Sequence, residues 1–549
     1  MIQSDMISFL LGEAAVCVTS RRYSQAFTLL SKAFLLDPAH TSSFSPIATL
    51  CQLSQRWGEL EHFCHIRLKT CPNDTEALYH LAGADLSRWR FVEAIELLKK
   101  TIAINPHHVN AWIDLGCAWK KFGEIDQALH CFQKAVAEAP DLNIAHDNLL
   151  FTMLFSDRYS PEELFAAHRN RWMQHTSSNW SRIKPEFNGR IRVGYLSPDF
   201  CDHSVASFLE PLLASHDISR FDIFCYHSHT KEDAVTQRLK SYNNHWHNIA
   251  EIDDDAAAEL IRSDGINILV ELAGHTAWNR LPLLNLRPAP IQVSWLGYPH
   301  STGMLSVDYR ITDSMADPLG ISDQLYTEKL VRLPRTFICY RPPDGFEPFR
   351  TLPYQRNGYI TFGSFNNFAK VSPAVIKCWR QILTMVPDSR LLLKSAVFTE
   401  ETACQIIAQR LDLPLNRLIM IGSTPDRTSH LALYSQVDIA LDTFPYNGTT
   451  TTCEALYMGV PVVTVLGDHH AARVGASILG TVGVGELVAG SADGYIDKAI
   501  ELAHDIPRLV WFRQHLPGLM ANSPLMDQDR FTAAMEAAYR QMWQHFIDG

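Results

Sequence analysis

Four prolines, Pro38, Pro72, Pro106 and Pro140, stand 34 residues apart each time across the first quarter of the chain. Few architectures produce that period: it is the length of two short antiparallel helices with their turns, repeated so that each pair stacks on the next. Small side chains let paired helices approach, large ones fill the space between pairs, and proline ends the second helix.

Residue types at fixed offsets agree with a tetratricopeptide array. In the last complete unit Trp112, Leu115, Gly116, Ala128, Phe132, Ala135 and Pro140 occupy the expected bulky, small and helix-ending positions. The preceding unit keeps Leu78, Leu81, Ala94, Leu98 and Pro106, and the first keeps Ala26, Ala33 and Pro38. The second is degenerate, with Leu60 and Cys64 at the small and aromatic positions. We count three to four repeats over residues 1–155. Such arrays leave a concave face that suits an extended peptide, and the same text also serves a spacer or a dimerisation surface.

The 549 residues exceed one core and predict about three or four domains at ~150 residues each. Hydrophobic content of 46% with 19% charged residues is globular, and no stretch reaches the ~20 apolar residues of a membrane span. The opening MIQSDMISFLLGEAAVC lacks the basic start and cleavage site of a secretory leader. Twelve cysteines without a CxxC pair suggest neither zinc site nor disulfide framework, so a cytoplasmic setting is expected. A formal net charge of -11 argues against a nucleic-acid partner. An oligomer is left open.

After a helical connector and linker over 156–189, with the linker proper near 176–190, the text becomes α/β. IRVGYL, FDIFCYH, INILVELA, IQVSWLG, DYRIT and KLVRLP alternate with helical segments. Past the proline-rich RPPDGFEPFRTLPYQRNG the alternation restarts with YITFGSF, SRLLLKS, RLIMIG, VDIALDT and PVVTVLG. Two parallel sheets are predicted, in lobes 190–345 and 346–549, the second including the terminal helices. Ligands of such sheets sit at the carboxyl ends of strands.

Three of those loops carry candidate chemistry. After VDIALDT, the run FPYNGTTTTCEALYMG places Gly448 in a turn and Thr449, Thr450 and Thr451 at a helix start, where free N–H groups and hydroxyls suit a diphosphate. Glu454, one turn further on, could accept from ribose hydroxyls. After YITFGSF, Ser372 and Pro373 mark a helix start that puts Lys370 beside the positive end of the helix dipole, a place for a cation only if an anion shares it. After IRVGYL, His203 precedes the next helix, where the dipole disfavours its charged form. His275, in ELAGHTAWNR, also follows a strand and could line the same cleft, and His430 could stack on a base. Each histidine has a structural reading beside the functional one. Asp253, Asp254 and Asp255 read as acids of a helix start, so no metal site is predicted.

From 190 to 545 the chain resembles the Spindly and protein O-GlcNAc transferase family. The likeness runs through RVGYLSPDFCDHSVASF, ILVELAGHT, RPAPIQVSWLGYPHSTG, DYRITDSMADP, TFGSFNNFAKVSP, LDTFPYNGTTTTCEALYMGVPVVT and AARVGAS, in that order. It implies a GT-B fold of two Rossmann-like lobes, inverting transfer without a metal or other cofactor, and a nucleotide-sugar donor held mainly by the second lobe. It matches Lys370 to the lysine on the donor diphosphate, with Asn367 in the same loop, and Thr450 and Thr451 to the phosphate-binding threonines. It matches His430 to the histidine near the nucleobase, Glu454 to the acid on the ribose, and His203 to a cleft histidine considered as a base. Lys370 and His203 are thus the expected catalytic pair.

The repeats are far fewer than in animal and plant members, which implies a compact, bacterial-type form. UDP-N-acetylglucosamine is the expected donor and a polypeptide Ser or Thr in the repeat groove the expected acceptor. FGSFNN and TFPYNGTTTTCE stand closer to Spindly, which makes GDP-fucose the alternative. A repeat scaffold that senses nucleotide-sugar without catalysis is the rival of another class.

Overall fold

The computed structural model describes residues 2–173, 189–242, 245–343 and 345–548. The linker expected over 176–190 lies, but for its last two residues, outside the described residues.

A first compact unit comprises Met1–Ala145 with the segment Ala396–Ile407. Its helices pair as Ile2–Thr19 with Tyr23–Leu36, Thr41–Leu53 with Trp57–Thr70, Thr75–Ser87 with Phe91–Ile104, and Val109–Lys121 with Ile125–Glu138. Four pairs are therefore formed, the degenerate second one included. Leu60 and Cys64 there are fully buried in the core that joins the first two pairs. The turn inside each pair repeats as strictly as the prolines. Arg21, Gln55, Trp89 and Gly123, again 34 apart, all take the left-handed conformation, with φ of 56°, 55°, 63° and 72°, the conformation that ends a helix while satisfying its last carbonyls. At Gly116 a Cβ would come within 2.6 Å of the Phe132 ring, so the helices of the last pair touch through that glycine. Glu400, from the inserted segment, accepts the Phe91 amide at 2.7 Å and so caps the helix Phe91–Ile104.

The second unit comprises His146–Ser395 and Ala408–Gly549. It claims residues that the sequence reading assigns to the array: Phe151 and Phe155 leave the repeat pattern and pack on Tyr298 and Tyr446. The connector helix Pro161–Trp172 follows, begun by a reciprocal Ser160–Glu163 capping box.

Seven parallel strands then form the first sheet: β1 (Ile191–Ser197), β2 (Phe221–His227), β3 (His245–Asn248), β4 (Ile268–Glu271), β5 (Ile291–Ser294), β6 (Tyr309–Asp313) and β7 (Lys329–Leu333). Their order is β3-β2-β1-β4-β5-β6-β7. The second sheet holds β8 (Thr361–Ser364), β9 (Arg390–Lys394), β10 (Leu418–Ile421), β11 (Ile439–Leu441), β12 (Val462–Val465) and β13 (Val488–Ala489), in the order β10-β9-β8-β11-β12-β13. Helices cover both faces, so the central strands are buried on both sides and read as continuous apolar runs.

In each sheet the strand order reverses once, between β1 and β4 and between β8 and β11. At such a point the loops leave in opposite directions and open a crevice. The loop after β1 carries His203 and the loop after β4 carries Thr276 to Trp278. The loop after β8 carries Asn366 to Lys370, and that after β11 carries Tyr446 to Thr451.

The last helix, Gln528–Asp548, departs from the expected division. It is not part of the second lobe's core. Phe531, Met535, Tyr539, Met542 and Trp543 lie in the core of the first lobe, Phe531 against Trp295 and the Tyr539 hydroxyl 3.2 Å from that of Tyr195. The apolar stripe of this helix matches the face of the first sheet that its own short helices leave uncovered.

Candidate active site

The two crevices open into one cleft within the second unit, with a cavity volume of about 440 Å³. Its walls are unlike. His203, Ser204 and Thr276 to Trp278 come from the first sheet, and Asn366, Asn367, Lys370, Tyr446 and Thr449 to Thr451 from the second.

The second-lobe wall is organised by Asp442, at the end of β11. Its buried carboxylate accepts the amides of Thr443 at 2.8 Å and Gly448 at 2.7 Å, the Thr464 hydroxyl at 2.7 Å and the Asn366 side-chain amide at 3.0 Å. Asn366 in turn accepts the Thr451 hydroxyl at 2.5 Å. The loops after β8 and β11 are thereby fixed to each other. A Cβ on Gly448 would meet Thr451 Oγ1 at 2.6 Å, Asn366 Oδ1 at 2.7 Å and Thr452 Oγ1 at 2.8 Å, so only glycine fits.

The helix Thr450–Tyr457 starts there without a side-chain cap from Thr449. Its first amides have no acceptor within the helix, and Thr449 to Thr451 line the cleft, a setting that suits an anion. The threonines are not merely caps, since Thr451 and Thr452 spend their hydroxyls on Asn366 and on the Gly448 carbonyl.

Lys370 ends a short turn just before Ser372, which caps the helix Pro373–Met385 as the sequence predicts. Its Nζ donates to the Asn447 carbonyl at 2.8 Å and lies 3.8 Å from the centre of the Tyr446 ring. Burial lowers its pKa to about 8, opposed by the charge of Asp442. Burial likewise raises Asp442, moderated by the hydrogen bonds from Thr464, Gly448 and Thr443 and then by the charge of Lys370. A cation so held has few partners and gains from an arriving anion.

On the first-lobe wall the Val205 amide donates to His203 Nδ1 at 3.3 Å, and Asp199 Oδ2 lies 3.6 Å from the same nitrogen. With Nδ1 accepting, the neutral ring carries its proton on Nε2, which can then act as a donor. Acting as a base through Nε2 would require the other tautomer, with Nδ1–H turned to Asp199.

His430 and Glu454 are brought together beside the cleft lining rather than in it, Glu454 standing one turn after Thr450 on the helix Thr450–Tyr457. His430 Nε2 lies 2.9 Å from Glu454 Oε2, and Arg427 is 3.8 Å from the other oxygen. The His430 ring stands beside Phe365 and Tyr434, next to Asn366 of the cleft wall. Asn367 lines the cleft while its side-chain Oδ1 accepts the Ala369 amide.

His275 is corrected. Its side chain is fully buried, with Nδ1 2.7 Å from Asp147 and Nε2 2.9 Å from the Thr302 carbonyl. Both nitrogens are spent on the scaffold, while the next three residues line the cleft in its place. Sequence reading missed Asp442, Asn366, Tyr446 and Trp278. Only Asp442 left a signal, an acid closing an apolar strand just ahead of a glycine-threonine loop.

Among the described residues no group of three or more His, Cys, Asp or Glu side chains is placed to hold a metal ion, and no helix is long and apolar enough to cross a membrane.

Comparison with known proteins places this arrangement. The profile of glycosyl transferase family 41 matches residues 164–342 and 350–535, and a tetratricopeptide profile matches 86–150. A protein of Oryza sativa subsp. japonica named as a probable UDP-N-acetylglucosamine–peptide N-acetylglucosaminyltransferase, SPINDLY, is 43% identical over 439 residues, 77% of this chain and 46% of its own. Its Arabidopsis thaliana counterpart is 43% identical over 427 residues, 75% of this chain and 46% of its own. The Arabidopsis protein SEC is 30% identical over 372 residues. The chain thus spans less than half the length of these curated relatives. A mutant of the Thermobaculum terrenum O-GlcNAc transferase superposes with a TM-score of 0.84 at 33% identity, covering 92% of this chain and 98% of that one.

The fold is therefore a tetratricopeptide array followed by a GT-B pair of Rossmann-like lobes. The chain belongs to glycosyl transferase family 41, with the Spindly and O-GlcNAc transferase proteins.

Proposed function

We propose that this chain is an inverting protein O-glycosyltransferase: a polypeptide Ser or Thr hydroxyl displaces a nucleoside diphosphate from the anomeric carbon of a nucleotide-sugar. One observation carries the reading. A buried lysine and a threonine-rich helix start share one wall of a single cleft, and His203 stands on the wall opposite. Negative charge grows on the diphosphate as the glycosidic bond breaks. Lys370 and the first amides of the helix Thr450–Tyr457 would meet it, stabilisation typically worth ~3–4 kcal/mol per donor. The acceptor then approaches from the side of His203, and configuration inverts. His203 orients the hydroxyl through Nε2–H, or takes its proton in the other tautomer. His430, held by Glu454, would meet the nucleobase, and the carboxylate's remaining capacity the ribose.

The names of the relatives favour UDP-N-acetylglucosamine as donor; GDP-fucose is the alternative suggested by the FPYNGTTTTCE wording. The repeat array is read as the holder of the polypeptide, and the reaction as independent of metal and cofactor. The test is intact-mass analysis of candidate polypeptides incubated with the full chain and UDP-N-acetylglucosamine, UDP-glucose or GDP-fucose in EDTA. Mass gain with one donor names the sugar. Nucleotide binding without release or mass gain across varied acceptors refutes the reading in favour of a sensing scaffold.

A further inference from the structure

Trp278 stands on the cleft wall with 70% of its surface exposed. Its φ of 62° lies in the left-handed region, which a bulky side chain adopts at a cost. An exposed indole and a strained backbone at one residue are two unfavourable features that the packing of the lobe does not require. The loop nonetheless holds them. Asn279 donates to the Thr276 carbonyl at 2.8 Å and to Asp147 at 2.9 Å, and the Ser228 hydroxyl donates to the Trp278 carbonyl at 3.4 Å. The indole meets the His229 ring edge-on at 4.9 Å and 86°, and His229 is itself oriented by the Lys231 amide at 2.8 Å. The ring is presented to the cleft in a set direction. Among the described residues no acceptor meets its Nε1–H.

Its wall decides what it can meet. The anion-directed groups belong to the second lobe, whereas Trp278 follows β4 beside the His203 loop that follows β1. In an inverting displacement the acceptor lies across the sugar from the diphosphate, on the first-lobe side. An indole offers an apolar face and a single N–H donor, complementary to an apolar side chain and a backbone carbonyl of one extended segment.

We propose that Trp278 forms an acceptor subsite, its ring receiving an aliphatic or proline side chain that flanks the acceptor Ser or Thr and its N–H a carbonyl of the same segment. The proposal rests on the transferase reading above.

The test compares the full-length parent with Trp278→Gly and Trp278→Phe on Ser- and Thr-centred peptides whose flanking residues vary among Gly, Val, Leu, Pro, Asp and Lys, with UDP-N-acetylglucosamine and GDP-fucose as donors. Glycine suits the positive φ, so Trp278→Gly should melt no lower than the parent. The parent should prefer apolar flanks over glycine by about tenfold in kcat/KM, and Trp278→Gly should lose that preference through a KM rise of about tenfold. Its nucleotide binding should be unchanged, and Trp278→Phe should lie between. An unaltered peptide profile in Trp278→Gly overturns the subsite. So does a change confined to donor KM, which would put the ring on the donor, or a fall in melting temperature, which would make it structural. No transfer to any peptide by the parent refutes the transferase reading, and the subsite with it.

Discussion

Gly448 and Lys370 show how narrowly single residues define the second-lobe wall of the cleft. At Gly448 three oxygens converge where a Cβ would stand. Gly448→Ala should therefore weaken nucleotide binding and lower stability by about 1–3 kcal/mol, the usual cost of overpacking, read by calorimetry and thermal melting. Unchanged binding would show that the loop opens freely. Lys370 makes a prediction in pH. In the proposed reaction its charged form is the one that would meet a diphosphate, and burial brings its pKa to about 8. Donor kcat/KM should fall as pH rises through about 8, while kcat at saturating donor should hold to higher pH because a bound diphosphate favours the cation. The sign for stability is opposite. Between about 8 and the ordinary 10.5 the unfolded chain holds a proton that the folded one lacks, so this lysine's contribution to stability improves as pH rises through that window. Lys370, the threonines and His203 were legible in sequence because each follows an apolar strand. The fate of His275 was not: whether a strand-end histidine faces a cleft or a carboxylate depends on Asp147, 128 residues away.

At the scale of elements, the turn after the helix Asn143–Met153, which follows the last repeat, reaches the second-lobe wall of the cleft through aromatic rings. Phe155 stacks on Tyr446 at 5.0 Å and 26°, and Tyr446 carries Lys370 over its ring. Replacing Tyr446 by Leu should lower turnover, and Tyr446→Phe should restore it, since the ring and not the hydroxyl meets the cation. Phe155→Ala should act through the same ring, so the two losses should be non-additive in a double-mutant cycle by about 1 kcal/mol. Simple addition would separate the connector from the lysine. Proline spacing exposed every helix pair, and apolar alternation exposed eleven of the thirteen strands. The two missed are β3, HWHN, an edge strand with exposed ends whose histidines lie over Phe224 and Tyr226, and β13, only two residues long. Neither has the run of buried residues by which a strand is recognised.

For the molecule as a whole, the chain closes on itself: its last helix completes the core of the first lobe, with Glu536 accepting the Asp217 amide at 2.8 Å and standing 3.0 Å from His216. That return is invisible locally, because an amphipathic helix carries no mark of which sheet it covers. A chain ended at Asp527 should lose cooperative melting of the first lobe; a truncated protein that melts like the parent would show that the lobe folds without it. Above these parts stands the central claim, that Lys370 and the loop after β11 stabilise a departing diphosphate. It is tested most directly by measuring sugar transfer and nucleotide binding side by side for the parent and Lys370→Ala. The structure predicts that the variant keeps its fold, binds nucleotide more weakly and loses turnover by at least about a hundredfold, the scale of one preorganised donor. A folded Lys370→Ala protein that transfers sugar at the parent's rate would contradict it.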